Sequence, residues 1–212
     1  MSEIVKVENV TKYFKQEKVL DDVNMNLETG HIYGIVGKNG AGKTVLFKII
    51  AGFIKPSSGK VTVAGKIIGV DRDFPDSLGL IIETPGFLSQ YNAYQNLLYL
   101  ANINNKISKE DVKESIRMVG LDSGSNKKVG KFSLGMRQRL GIAQAIMENP
   151  NLIILDEPMN GLDKKGIEDV KELLLKLKGD GKTILMASHY AEDMEICDEV
   201  FQMEDGKLGD MK

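Results

Sequence analysis

The sequence predicts an α/β fold with a mostly parallel central sheet, a small antiparallel β part and an inserted helical subdomain. Three observations carry this. Leu152-Ile153-Ile154-Leu155 and Thr183-Ile184-Leu185-Met186-Ala187 are continuous apolar runs, as expected of parallel strands buried on both faces. Val23, Met25 and Leu27 alternate with polar residues, the pattern of a half-buried strand. Between about residues 86 and 148 the pattern changes, with Leu97, Leu98, Leu100, Ala101 and Ile103 at helical spacing.

The elements follow in order. Val5, Val7 and Val10 open a first strand, and Val19 to Leu27 forms a second. His31 to Val36 is a short apolar strand, and Val45 to Ile50 reads as a helix ending at Ala51-Gly52. Lys55-Pro56-Ser57-Ser58-Gly59 is a turn. Val61-Thr62-Val63 and Leu78 to Ile82 are further strands. Ser108-Lys109-Glu110-Asp111 resembles a capping box that opens a helix carrying Val112, Ile116 and Val119. Another helix is expected from Leu140 to Met147. After the Leu152–Leu155 strand, Ile167, Val170, Leu173, Leu174 and Leu177 mark an amphipathic helix. Asp205-Gly206 is a hairpin-type turn. Residues 1–212 read as a single domain, with about 86–148 as the insertion.

Composition narrows the function. With 28 basic and 30 acidic residues the net charge is −2, which is no electrostatic footprint for nucleic acid. Cys197 is the only cysteine, so neither an internal disulfide nor a cysteine-rich metal site is available. No stretch approaches the roughly 20 apolar residues that span a bilayer, and no signal-peptide pattern opens the chain. A cytoplasmic protein is expected, with any membrane role exercised through a partner.

The most specific segment is Gly37-Lys38-Asn39-Gly40-Ala41-Gly42-Lys43-Thr44, a complete G-x-x-x-x-G-K-[ST] phosphate loop between an apolar strand and a helix. The glycines let backbone N–H groups close around phosphate oxygens, and the helix that opens at Gly42 aims its positive end at the same anion. Lys43 would reach the β and γ phosphates, and the Thr44 hydroxyl would ligate Mg²⁺. The ligand class is nucleoside triphosphate with Mg²⁺, and the fold class a P-loop NTPase. Asp156 and Glu157 follow an apolar strand, a placement suited to a metal and a general base beside that loop. Ser133, at the start of the segment Ser133-Leu134-Gly135-Met136-Arg137-Gln138, offers a second anion site with the free N–H groups of a helix start.

In order, the phosphate loop, the Ser133–Gln138 segment, Leu155-Asp156-Glu157-Pro158, Asn160-Gly161-Leu162-Asp163 and Ser188-His189 make the chain resemble the nucleotide-binding domain of ATP-binding cassette (ABC) transporters, over nearly its whole length. The resemblance implies ATP and Mg²⁺ as ligands, hydrolysis to ADP and phosphate, and a head-to-tail homodimer formed on ATP. Residues 37–45, from Gly37 to Val45, would bind the nucleotide. Phe14, with Tyr13 as the alternative, would stack on adenine. Ser133, Leu134, Gly135, Met136 and Gln138 would form a signature acting in trans on the ATP of the opposite subunit, and Asp163 would link the two sites. Thr44, Asp156 and Glu83 would hold the metal. Glu157 would be the general base, and His189 would contact the γ-phosphate and orient the water and Glu157.

Glu83 departs from the family pattern, in which a glutamine usually follows this strand. Glutamate here is similar to the cassettes of bacitracin- and lantibiotic-type exporters and immunity transporters. Added negative charge beside the phosphates should favour the metal complex over free nucleotide. Just beyond Glu83, the resemblance implies that Phe87, Leu88, Tyr91 and Tyr94 receive a separate transmembrane permease subunit, which would hold the chain on the inner face of the cell membrane. The implied function is the ATPase subunit of an exporter of peptide or drug-like compounds; a soluble, non-transport cassette ATPase of the iron–sulfur assembly type is the alternative.

Overall fold

Two β-sheets share one core layer in the computed structural model, which describes residues 2–83 and 86–210. The first is antiparallel, in the order β2 (Glu17–Glu28), β1 (Glu3–Phe14), β4 (Ser58–Val63), β5 (Lys66–Ile67). Strand β1 pairs with β2 as Val7 opposite Met25 and Val10 opposite Val23, so the alternating apolar residues of both strands line one face. The second sheet is mostly parallel, in the order β10 (Lys207–Asp210), β9 (Glu199–Glu204), β3 (Ile32–Val36), β8 (Thr183–Ser188), β7 (Leu152–Asp156), β6 (Leu78–Ile81). Only the β9–β10 hairpin, turned at Asp205-Gly206, is antiparallel in it.

The continuous apolar runs are explained by burial on both faces of this sheet. In β7, Ile153 and Leu155 face one core, and Leu152 and Ile154 face the other. Strand β8 divides in the same way, Ile184 and Met186 against Leu185 and Ala187. One core is closed by the antiparallel sheet and α1 (Lys43–Ile50), which contributes Leu46, Phe47, Ile49 and Ile50. The other is closed by α5 (Lys164–Gly179), through Val170, Leu173, Leu174 and Leu177, and by the helices of the insertion.

Those helices are α2 (Ala93–Asn104), α3 (Lys109–Met118) and α4 (Leu134–Ile146). The expected capping box is formed: Ser108 accepts the Asp111 N–H, and Asp111 accepts the Ser108 N–H. Helix α4 begins at Leu134 rather than Leu140, because Ser133 caps it by accepting the Met136 N–H. It packs on β6 and β7, so the insertion shares the core behind the central sheet. Strands β5 and β9 and the short 3₁₀ turns Val129–Lys131 and Ala191–Ile196 were not legible as elements.

Candidate functional site

Parallel topology brings the C-terminal ends of β3, β7 and β8 side by side, and the functional side chains lie there. The loop after β3 turns through Gly40 (φ +84°) and Gly42 (φ +110°) before α1 opens at Lys43. A Cβ on Gly42 would sit 2.8 Å from Leu20 Cδ2 and 3.0 Å from the Val19 carbonyl oxygen, so both conformation and space require glycine. Lys43 is buried, and its ammonium donates to the carbonyls of Gly37 (2.5 Å) and Lys38 (3.3 Å). The same Nζ lies 3.7 Å from Glu157 Oε1. Two cavities flank the loop. One of about 460 Å³ is lined by Gly37–Ala41, His189 and the β9–β10 turn; the other, about 260 Å³, is lined by Val19, the loop, Thr44, Val45, Asp156 and Glu157.

Asp156 ends β7 and is buried, with Oδ2 accepting the Thr44 hydroxyl at 2.6 Å. Burial pushes its carboxyl above the usual range, helped by the nearby charges of Glu157 and Glu83 and opposed by Thr44 and Lys43. Glu157 follows with φ +52°, a left-handed conformation that non-glycine residues rarely adopt. Its N–H donates to the Ala187 carbonyl, tying it to β8. Its Oε2 lies 2.9 Å from His189 Nδ1 and 3.3 Å from Ser188 Oγ. Ser188 is anchored in turn by donating to buried Asp193 (2.5 Å) while accepting the Tyr190 N–H.

Lys43, Thr44, Asp156, Glu157 and His189 are thus brought together in one chain. A hydroxyl and a carboxylate at 2.6 Å make a hard-oxygen pair, the donor chemistry that Mg²⁺ takes alongside phosphate and water. Among the described residues no group of three or more His, Cys, Asp or Glu side chains converges on a metal position. Glu83, expected at the metal, is placed otherwise. It has φ +62°, its side chain is 66% exposed, and it pairs with Lys48 Nζ of α1 at 2.5 Å. Its charge nonetheless acts on Asp156.

Other expected residues lie away from this cluster. Tyr13 and Phe14 end β1, both 43% exposed, with Lys18 and Lys12 ammonium groups over their rings; neither lines the two cavities. Ser133 and Leu134 are exposed at the start of α4, with Gly135 and Met136 half-buried behind them. None of these four lines the cavities beside the loop of its own chain. Asp163 caps α5 by accepting the Gly166 N–H at 2.8 Å. The Gln138 side chain is buried, and its amide donates to the carbonyls of Glu157 (3.0 Å) and Pro158 (3.1 Å) in the same chain.

Near the insertion, Phe87 and Tyr94 are half-buried and pack on the core, whereas Leu88 is exposed. The Tyr91 ring lies 5.3 Å from that of exposed Tyr99, which sequence reasoning missed. It also missed Asn96, buried, whose amide bonds both the N–H and the carbonyl of Leu88 and so fixes this segment. Asn96 is an asparagine on the inner face of a helix, where a buried polar group signals such a partner. No spacing rule points to Lys48 or Asp193. Among the described residues no helix is long and apolar enough to cross a membrane.

Residues 20–160 match the family described as ABC transporter. The chain is 45% identical to the uncharacterized ABC transporter ATP-binding protein YybJ of Bacillus subtilis, over 97% of this chain and 94% of that protein. It is 41% identical to the bacitracin transport ATP-binding protein BcrA of Bacillus licheniformis, over 98% of this chain and 69% of that one. It is 35% identical to the lantibiotic transport ATP-binding protein SrtF of Streptococcus pyogenes, over 97% and 89%. The fold superposes on the ATP-binding cassette MJ0796, solved as a dimer in a post-hydrolysis state bound to ADP and Pi, with a TM-score of 0.88 and 26% identity over 99% of both chains.

Proposed function

Because the chain belongs to the ABC transporter family, as an ATP-binding ATPase subunit, we propose that it binds MgATP between two head-to-tail copies and drives a separate membrane permease. The observation that carries this reading is the convergence at the strand ends: Thr44 on Asp156 at 2.6 Å, His189 on Glu157 at 2.9 Å, and Lys43 3.7 Å from Glu157.

The loop N–H groups and the start of α1 bind the phosphates, and Lys43 turns part of its three-donor ammonium from the Gly37 and Lys38 carbonyls to the β and γ oxygens. Thr44 and Asp156 would hold Mg²⁺, whose charge would offset that of the phosphates. Glu157 takes a proton from the attacking water as it adds to the γ-phosphorus, and ADP leaves. His189 fixes the Glu157 carboxylate from one side. Ser133 and the exposed start of α4 supply a second phosphate site to the partner copy. Loss of that phosphate removes those contacts, so hydrolysis opens the dimer. Phe14, or Tyr13 beside it, stacks on adenine, and Glu83 would add negative charge at the edge of the metal site.

The likeness to bacitracin and lantibiotic transport proteins favours export of peptide or drug-like compounds, with the chain held on the inner membrane face by its permease. The test is to purify the tagged chain from its native membranes in mild detergent and identify what accompanies it. A polytopic membrane protein is expected. Soluble partners alone, with no chain in the membrane fraction, would replace this reading with a non-transport ATPase.

A further inference from the structure

We propose that Gln138 is a positioning residue for Glu157, acting within its own chain; this rests on the assignment of Glu157 as the general base. The Gln138 amide nitrogen donates to two main-chain carbonyls, those of Glu157 at 3.0 Å and Pro158 at 3.1 Å. Both partners are acceptors, so only the NH₂ end can face them and the orientation of the amide is dictated. Glu157 needs such support. A glutamate at φ +52° persists only where its surroundings over-determine it. Its N–H is held by the Ala187 carbonyl of β8, and its carbonyl by Gln138 of α4, so the backbone on both sides of the carboxylate is fixed.

Independent packing locks α4 to the same loop. A Cβ on Gly135 would lie 2.9 Å from the Gly161 carbonyl oxygen, and one on Gly161 would lie 2.5 Å from Leu134. The first turn of α4 and the loop from Glu157 to Gly161 therefore move together. Since Ser133 caps this helix, an anion gripped at the helix start bears on the carboxylate that Gln138 holds, in the same polypeptide. A Gln138 amide swung outward to a partner's nucleotide would leave two carbonyls without their donor.

The test uses Gln138→Met, which keeps length and volume but has no donor. Its kcat is expected to fall about tenfold or more, as misplacement of a catalytic group by an ångström can cost about a hundredfold, with KM for ATP nearly unchanged; Tm should fall modestly, because two carbonyls lose their donor. In the Glu157→Gln background it should cost no further turnover, because its effect passes through the carboxylate, and the ATP-trapped dimer should persist on size exclusion. Unchanged kcat for Gln138→Met would overturn the proposal. So would loss of the trapped dimer in the double variant, which would put the amide across the interface. If Gln138→Met does not fold, Gln138→Asn, which retains the donors one methylene short, gives the same readouts. Failure of Glu157→Gln alone to slow turnover or trap a dimer would instead refute the underlying assignment.

Discussion

The proposed function places the general base on one strained residue, Glu157. Removing its charge while keeping its shape, by Glu157→Gln, should leave nucleotide binding intact and slow phosphate release by about 10²–10⁴-fold, the usual worth of a general base. A phosphate-release assay beside a nucleotide-binding titration checks this, and equal turnover would remove Glu157 from the role. Asp156 offers a second test, through pH. Its carboxyl is held above the usual range mainly by burial, so the folded state prefers the protonated form. The sign follows: the stability linked to this group is complete below the unfolded carboxylate pKa and is lost as pH rises through the higher folded value. At neutral pH the ionised Asp156 is therefore a cost of folding. Asp156→Asn should raise Tm at neutral pH, show less advantage in acid, and abolish Mg²⁺-dependent turnover; an unchanged or lower Tm at neutral pH would contradict the sign. The Lys48–Glu83 pair is exposed and contributes at most about 1 kcal/mol. Glu83→Gln should accordingly leave ATP binding largely intact while changing the Mg²⁺ dependence of hydrolysis, measured by titrating the metal at fixed ATP. At this scale the sequence was most legible where chemistry fixes spacing, at Lys43, Thr44, Asp156 and Glu157. It was least legible at Gln138, because nothing in a linear motif tells an amide aimed outward from one folded onto its own chain.

Elements were legible where one side-chain period dominated. β7, β8 and α5 carry a single unbroken pattern, and the structure follows it closely. Helix α4 was read too short because Leu134-Gly135-Met136-Arg137 has no apolar stripe and contains a glycine. Its first turn is fixed by the Ser133 cap and by contact with the Gly161 loop instead. Strand β9 was missed since only Phe201 and Met203 are buried along it. The cap also permits a separation of structure from function. Ser133→Ala loses the bond to the Met136 N–H and should cost roughly 1 kcal/mol. Ser133→Asp keeps a capping oxygen and sets a negative charge against the positive helix end, so stability should be retained or increased. The same charge would repel a phosphate. Ser133→Asp should therefore melt no lower than the parent protein yet fail to form the ATP-dependent dimer in the Glu157→Gln background. A dimer formed at the parent's ATP concentration would mean that this helix start does not receive the γ-phosphate.

On the proposed reading, chemistry lies at one edge of the parallel sheet and recognition at the edge of the helical insertion. The loops after β3, β7 and β8 hold the groups proposed to bind phosphate and hydrolyse it, while β6, next in the sheet, leads through Glu83 to the segment before α2. A change at the proposed metal site is thereby adjacent, through one strand end, to the surface proposed to meet the permease. Sequence reading named Phe87, Leu88, Tyr91 and Tyr94 for that surface without separating inward from outward side chains, since aromatic residues serve both cores and interfaces. Burial separates them. Phe87 and Tyr94 help to close the core, and their loss would unsettle the fold and confuse any binding assay. Leu88 and Tyr99 are 47% and 54% exposed and can be changed with little loss of packing. Leu88→Asp combined with Tyr99→Asp should leave the ATPase rate of the isolated chain within about twofold. Recovery of the membrane subunit with the tagged chain should fall by about tenfold or more, because exposed apolar anchors dominate such contacts and a buried unpaired carboxylate opposes them. Undiminished recovery would move the docking surface off this face of α2, and loss of both recovery and ATPase activity would show that the pair supports the fold itself.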